Sequence, residues 1–222
     1  MTEKKTIAII GGTGQLGPGL ALRWANAGYR VIIGSRQAEK AQGVAAELNA
    51  ELGQELIQGK ANGDAAREAE ICVLTVDESA HLSALESVKN ELKGKLLLDT
   101  TARVSPPDWT PPAPPAAAKI AQDLLGSDVR VVAAFQTVPA ASLRKNYKEK
   151  LDSDVLVCAD DPEAAEVAAG LARDAGLQAY YAGNLEKAIV VEGLTAILVS
   201  MNKHYKSRHG TLRVAGMPAK QA

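Results

Sequence analysis

Cysteine is scarce: 222 residues hold two, Cys72 and Cys158. Both lie in apolar, strand-like runs, ICVLTV and DVLVC, and read as buried free thiols. Histidine numbers three, and no Cys/His spacing suggests a metal. No apolar run approaches the roughly 18 residues of a membrane span, so a membrane partner is not expected. The opening MTEKKTIAIIGG has basic residues but too short an apolar stretch for a secretory signal, and a cytoplasmic location is expected. Charge of one sign is also lacking. With 25 basic and 26 acidic residues the net charge is −1, which gives no general reason to bind nucleic acid. Internal repeats and charge-run linkers are missing, so 1–222 reads as one nucleotide-binding unit with 184–222 as a C-terminal helical extension.

What the chain does have is concentrated in residues 6–40. Thr6–Ile10 is a short β-branched run fit for a buried parallel strand. It enters Gly12-Thr13-Gly14-Gln15-Leu16-Gly17, a G-x-G-x-x-G turn, followed by an apolar-periodic segment ending at Gly28. Strand, glycine turn, helix and second strand together form a dinucleotide-binding unit. Gly12 is expected to permit the tight turn, Gly14 the approach of a pyrophosphate, and Gly17 close helix packing. The end of the second strand selects the nucleotide. A site for NAD places a carboxylate about 20 residues past the glycines, on the ribose 2′-OH. Here Ser35-Arg36 stand there, with Lys40 four residues after Arg36. A hydroxyl and two cations suit a 2′-phosphate, so NADP(H) is expected. A helix starting near Ser35 would put Arg36 and Lys40 on one face.

Strand and helix signals then alternate almost to the end. This predicts an α/β fold, doubly wound and Rossmann-type, with a mainly parallel sheet and a C-terminal helical layer. The rhythm breaks at 106–115, PPDWTPPAPP, where six prolines in ten positions exclude a helix or a central strand. The segment is a lid carrying Trp109 or a stiff surface connector. A long apolar-periodic stretch, Leu185–Tyr205, reads as a helix beside a cleft or at a dimer interface.

Ligands of open α/β sheets lie beyond the carboxyl ends of the strands. The candidate ends are Thr75-Val76-Asp77, Asp99-Thr100-Thr101, Gln136–Ala140 and the loop before the long helix. They are rich in Thr and aliphatics and poor in acid–base groups. His81 is a candidate acid–base group, though an exposed or half-buried structural role is expected of it. No catalytic side chain is therefore named. Hydride exchange between two heteroaromatic rings needs none: the protein must stack the rings and exclude water.

The chain resembles the NADPH-dependent reductases of coenzyme F420, the F420–NADP oxidoreductases, over nearly its whole length. The resemblance rests on GGTGQLGPGLALR, VIIGSRQAEKA, VVAAFQTVPA, CADDPEA and the segment from AGNLEKAIVVEGL to HGTLRVAG. It implies a cytoplasmic homodimer passing hydride directly between NADP(H) and the deazaflavin coenzyme F420, with no metal. It places Thr13, Gly14, Gln15 and Leu16 at the diphosphate, and Ser35, Arg36 and Lys40 at the 2′-phosphate. Val76 and Ala140 would border the nicotinamide. The chain departs from the family pattern at Asp77-Glu78-Ser79-Ala80, where Pro-Trp-Glu-His is expected, at Gln136, where many members have His, and in the proline-rich loop. Another acceptor (a flavin, quinone or small carbonyl compound) and a non-catalytic NADP(H)-sensing role therefore remain as alternatives. The basic cluster Lys203, His204, Lys206, Arg208, His209 and Arg213 is a candidate rim for the phosphodiester and glutamate tail of coenzyme F420.

Overall fold

Most strands are short apolar runs bounded by glycine or a polar turn. The structure, a computed structural model, describes residues 4–104 and 106–218. Met1–Glu3, part of the signal-peptide reading, and the last four residues of the helical extension lie outside the described residues. The strands are β1 (Ile7–Ile10), β2 (Val31–Ser35), β3 (Ile57–Ala61), β4 (Ile71–Leu74), β5 (Leu96–Asp99), β6 (Arg130–Ala133), β7 (Asp154–Ala159) and β8 (Gln178–Gly183). They form one eight-stranded sheet in the order β3-β2-β1-β4-β5-β6-β7-β8. All neighbours are parallel except β6 and β7, so β7 and β8 run against the other six.

Helices cover both faces, as the alternation predicts. The helices are α1 (Gly17–Asn26), α2 (Ala38–Leu52), α3 (Asn62–Glu68), α4 (Glu78–Val88), α5 (Ala117–Leu125), α6 (Ala140–Arg144), α7 (Pro162–Asp174) and α8 (Ala188–His204). Alternate side chains of the strands feed two cores. Ile7, Ile9, Val73 and Leu98 meet α1, α2, α6 and α7 through Leu20, Leu48, Leu143 and Ala168. Ala8, Ile10, Leu74 and Leu97 meet α3, α4, α5 and α8 through Ala65, Leu85, Ala121 and Val191. The period of two along each strand thus builds a three-layer molecule. The helix α8 lies in the same layer as α3–α5. The short helix α6, hidden in sequence behind Pro139, packs across α1, where a Cβ on Gly19 would come within 2.7 Å of Leu143.

Cys72 and Cys158 are buried free thiols. Burial pushes the Cys72 thiol up to about 12 and that of Cys158 up to about 11.

Reversal of β7 and β8 corrects one expectation. The loop before the long helix does not lie at the carboxyl edge of β1–β6. It follows β8, which ends at the opposite edge: there Leu185 N–H donates to Asp160 at 3.0 Å, and Arg130, at the start of β6, approaches Asp161 at 3.6 Å. The carboxyl edge instead receives the amino end of β7 and the tail after α8. Asp154 N–H donates to the carbonyl of Leu212, and the Asp154 carboxylate accepts from Val214 N–H.

Candidate nucleotide site and acceptor cleft

Between β1 and β4 the sheet order reverses, and the glycine turn crosses that point. Gly12 N–H donates to the carbonyls of Ile9 (3.1 Å) and Gly34 (2.9 Å), folding the turn back over both strands. Gly11, just before it, is the left-handed residue, with φ +70°. Gly12 and Gly17 are required for close approach instead: a Cβ on Gly17 would fall 2.2 Å from the Gly12 carbonyl oxygen. Above Gly14 there is room, its nearest neighbours being backbone atoms at 3.7 and 3.9 Å. Thr13, Gly14, Gln15 and Leu16 lead from the turn into α1, and the amino end of a helix favours an anion through its amides and dipole. The sequence reading missed Asn62. Its Oδ1 accepts the Gly11 N–H at 3.2 Å and ties the turn to the first residue of α3. Nothing short of the fold places Asn62 beside Gly11, 51 positions away.

Ser35 ends β2, nearly buried, and its Oγ accepts the Gln37 N–H at 3.2 Å, leaving the hydroxyl proton for another partner. The helix α2 starts at Ala38 rather than near Ser35, so Arg36 precedes it and shares no helical face with Lys40. Both side chains are exposed, and among the described residues neither has a carboxylate partner.

Threonines lengthen the strand ends that floor the cleft. Thr75 N–H and Oγ1 both donate to Ile10, and Thr100 N–H and Oγ1 both donate to Leu74. Val76 stands against the turn, since a Cβ on Gly11 would lie 2.4 Å from its Cγ1. The β6 end is strained: Phe135, buried edge-to-face on Trp24 at 6.0 Å, holds φ +73°. That conformation is costly for an aromatic residue, and it turns the chain into Gln136-Thr137-Val138-Pro139 with Ala140 opening α6.

His81 departs from its expected exposure. It is buried, and its Nε2 lies 2.6 Å from Oδ2 of Asp99, itself fully buried. The other Asp99 carboxylate oxygen accepts Thr101 N–H, and the Asp99 carbonyl accepts Gln136 Nε2 at 3.1 Å. The Gln136 carbonyl in turn accepts the hydroxyl of Thr195 on α8. A polar network therefore fixes the ends of β5 and β6 from behind. Motif spacing gives no sign of it, because His81 and Asp99 are 18 positions apart.

The proline-rich loop is held at both ends by one carboxylate. Glu192 on α8, with no exposed surface, accepts the N–H of Arg103 at 3.2 Å and that of Ala117 at 2.6 Å, and the Arg103 guanidinium lies 3.3 Å away. Arg103 also donates to the carbonyl of Ala113. Burial, before any other cause, raises the Glu192 pKa above its ordinary value, while its two N–H donors and Arg103 oppose the shift.

The basic tail does not present a uniform rim. Arg213 is taken by Asp152 and Asp154, and His209 Nδ1 meets Ser142 Oγ at 3.0 Å. Lys203, Lys206 and Arg208 are exposed.

Known proteins share this plan. A profile of the family described as NADP oxidoreductase, coenzyme F420-dependent, matches residues 6–103. The F420-dependent NADP reductase of Methanothermobacter thermautotrophicus is 36% identical over 97% of this chain and 97% of its own. That of Methanocaldococcus jannaschii is 37% identical over 95% of this chain and 98% of its own. A solved structure from Arthrobacter sp. FB24, provisionally named an F420-dependent NADP reductase, superposes with a TM-score of 0.81 at 23% identity. It spans 96% of this chain and 100% of its own.

Proposed function

The chain belongs to the coenzyme F420-dependent NADP oxidoreductase family, and from that premise we propose that it transfers a hydride directly between NADP(H) and the deazaflavin coenzyme F420. The observation that carries this reading is similarity, at 36% and 37% identity, to reductases of that name over nearly the whole chain. When both coenzymes are bound, hydride passes between the nicotinamide and the deazaflavin ring.

The residues present fit the nucleotide. Open space over Gly14, between the crowded glycines Gly12 and Gly17, is where a diphosphate would rest, held by Thr13, Gln15 and Leu16. The free proton of Ser35 and the cations Arg36 and Lys40, without a carboxylate partner among the described residues, suit a 2′-phosphate, and no carboxylate stands at the end of β2 to repel it. Val76 and Ala140 border the place of the nicotinamide. Thr75 and Thr100 are occupied with backbone carbonyls, so this part of the floor offers a fixed, largely apolar surface that orients a ring and excludes water. His81 is closed against Asp99, which leaves no ready proton donor for a small carbonyl acceptor and favours ring-to-ring transfer.

We also propose a homodimer. Val190, Leu194, Ile197 and Met201 fall on one stripe of α8 that continues into Tyr205 just past its end, and four of the five are exposed. We place the protein in the cytoplasm, where NADPH is made and thiols such as Cys72 and Cys158 stay reduced.

The test is to mix the protein with NADPH and oxidised coenzyme F420 and follow the deazaflavin's visible absorbance, with NADH and FMN in parallel. Rapid bleaching with NADPH and weak bleaching with NADH is the expected result. NADPH binding without bleaching overturns the choice of acceptor and points to Asp77, Glu78 and Gln136 as its cause.

A further inference from the structure

The glycine turn and the end of β2 belong to different parts of the chain, and one buried side chain touches both. We propose that Asn62 is a positioning residue for the nucleotide: its neutral carboxamide holds the glycine turn at a fixed distance from the end of β2, so that the diphosphate and the 2′-phosphate of NADP(H) are met together. The inference rests on the nucleotide reading above and names the side chain that registers its two halves.

The carboxamide oxygen reaches the turn first. Oδ1 accepts the Gly11 N–H at 3.2 Å, and the Gly11 carbonyl accepts the Gly14 N–H at 3.4 Å. Gly14 is the position with room above it for a diphosphate, so a displacement of Gly11 is felt there directly. The same oxygen packs on β2, since a Cβ on Gly34 would fall 2.7 Å from it. Glycine at the position before Ser35 is therefore what admits Asn62 to this corner. The Gly34 carbonyl meanwhile accepts the Gly12 N–H at 2.9 Å, so turn, strand and side chain are joined pairwise. Among the described residues no amide of α3 donates to Asn62, and the side chain does not serve as a cap for its own helix.

The strand β3 carries the same registration to the 2′-phosphate side. Ala61 pairs with Ser35, which puts Asn62 one residue past the level of the Ser35 hydroxyl. Earlier on β3, Gly59 lies so close to α2 that a Cβ there would fall 2.2 Å from the Ala41 carbonyl carbon. That approach seats the first turn of α2, and Lys40 with it, on the strand that ends at Asn62. Charge explains why an amide stands here. The Gly11 N–H needs an acceptor, which Asp or Asn would supply, but a carboxylate this near a 2′-phosphate would repel it. Asn62, only 9% exposed, holds the turn without that repulsion.

The experiment is a fluorescence titration of NADPH and NADH, near neutral pH, on the unmodified protein, on Asn62→Ala and on Asn62→Asp. The ratio of the two affinities is a readout that a general loss of stability does not move, because both nucleotides meet the same folded molecules. Asn62→Ala strips the Gly11 N–H of its acceptor and is expected to weaken NADPH and NADH alike, by about tenfold. Asn62→Asp restores the acceptor. With it NADH binding is expected to return to within about twofold of the unmodified protein, while NADPH stays about tenfold weaker because the carboxylate opposes the 2′-phosphate. Unchanged affinities in the Ala variant, or an Asp variant that keeps the unmodified ratio, overturn the inference while the nucleotide reading stands. An Asp variant as weak toward NADH as the Ala variant also overturns it, since an acceptor for Gly11 would then not be what the turn needs. If the unmodified protein binds NADPH no better than NADH, the nucleotide reading itself falls, and the inference with it.

Discussion

At the scale of single residues, one cation is proposed to select the nucleotide and another gathers five backbone carbonyls. Arg36 is exposed, without a carboxylate partner among the described residues, and lies at the end of β2. Arg36→Ala is expected to weaken NADP binding by about 1.5–3 kcal/mol, roughly ten- to a hundredfold, and to leave NAD binding nearly unchanged; calorimetry with both nucleotides checks it. This residue was legible because its chemistry is local: a strand, a glycine turn and a counted spacing place it. Arg23 was not. It sits in the apolar-periodic segment as one more helical residue, and only the fold brings it five carbonyls from as far as 152 positions away. Arg23→Met keeps the volume and removes every donor. The carbonyls it leaves buried are expected to cost about 3 kcal/mol or more, read as a lowered denaturant midpoint.

At the scale of elements, α8 does two jobs with its two faces. Inward, Glu192 clamps both ends of the proline-rich loop. Its pKa is raised above the ordinary 4.5, by burial first, so the folded chain holds a proton that the unfolded chain has already released. Between 4.5 and the raised value this group's contribution to stability falls as pH rises and returns on acidification. Glu192→Gln is expected to flatten that part of the curve of melting temperature against pH. Outward, the apolar stripe through Ile197 and Met201 is the proposed dimer face. Ile197→Asp/Met201→Asp is expected to convert a dimer to monomer in sedimentation analysis, with helix content retained. The length and periodicity of α8 were readable in the sequence. The clamp was not, because a glutamate within an apolar run carries no mark of what it will meet.

At the scale of the whole molecule, the alternation of strands and helices was legible from apolar runs and turn residues, as was the covering of both faces by helices. Direction was not legible for the last two. Parallel and antiparallel neighbours are written in the same apolar alphabet, and the reversal of β7 shows only when Ala133 pairs with Cys158. Site chemistry divides along the same line. The residues proposed to hold the nucleotide lie close together in the chain and could be read in order, whereas the end of β6, the start of β7 and the tail beyond α8 meet only in the fold. The reversed pair also brings the tail back to the working edge, where Leu212 and Val214 bond Asp154. The glycine turn and the returning tail therefore reach one sheet edge from opposite ends of the chain. Recombination between related genes anywhere in the stretch encoding β8 and α8 would exchange the segment carrying His209 and Thr211 and leave the glycine turn and Arg36 with their original sheet.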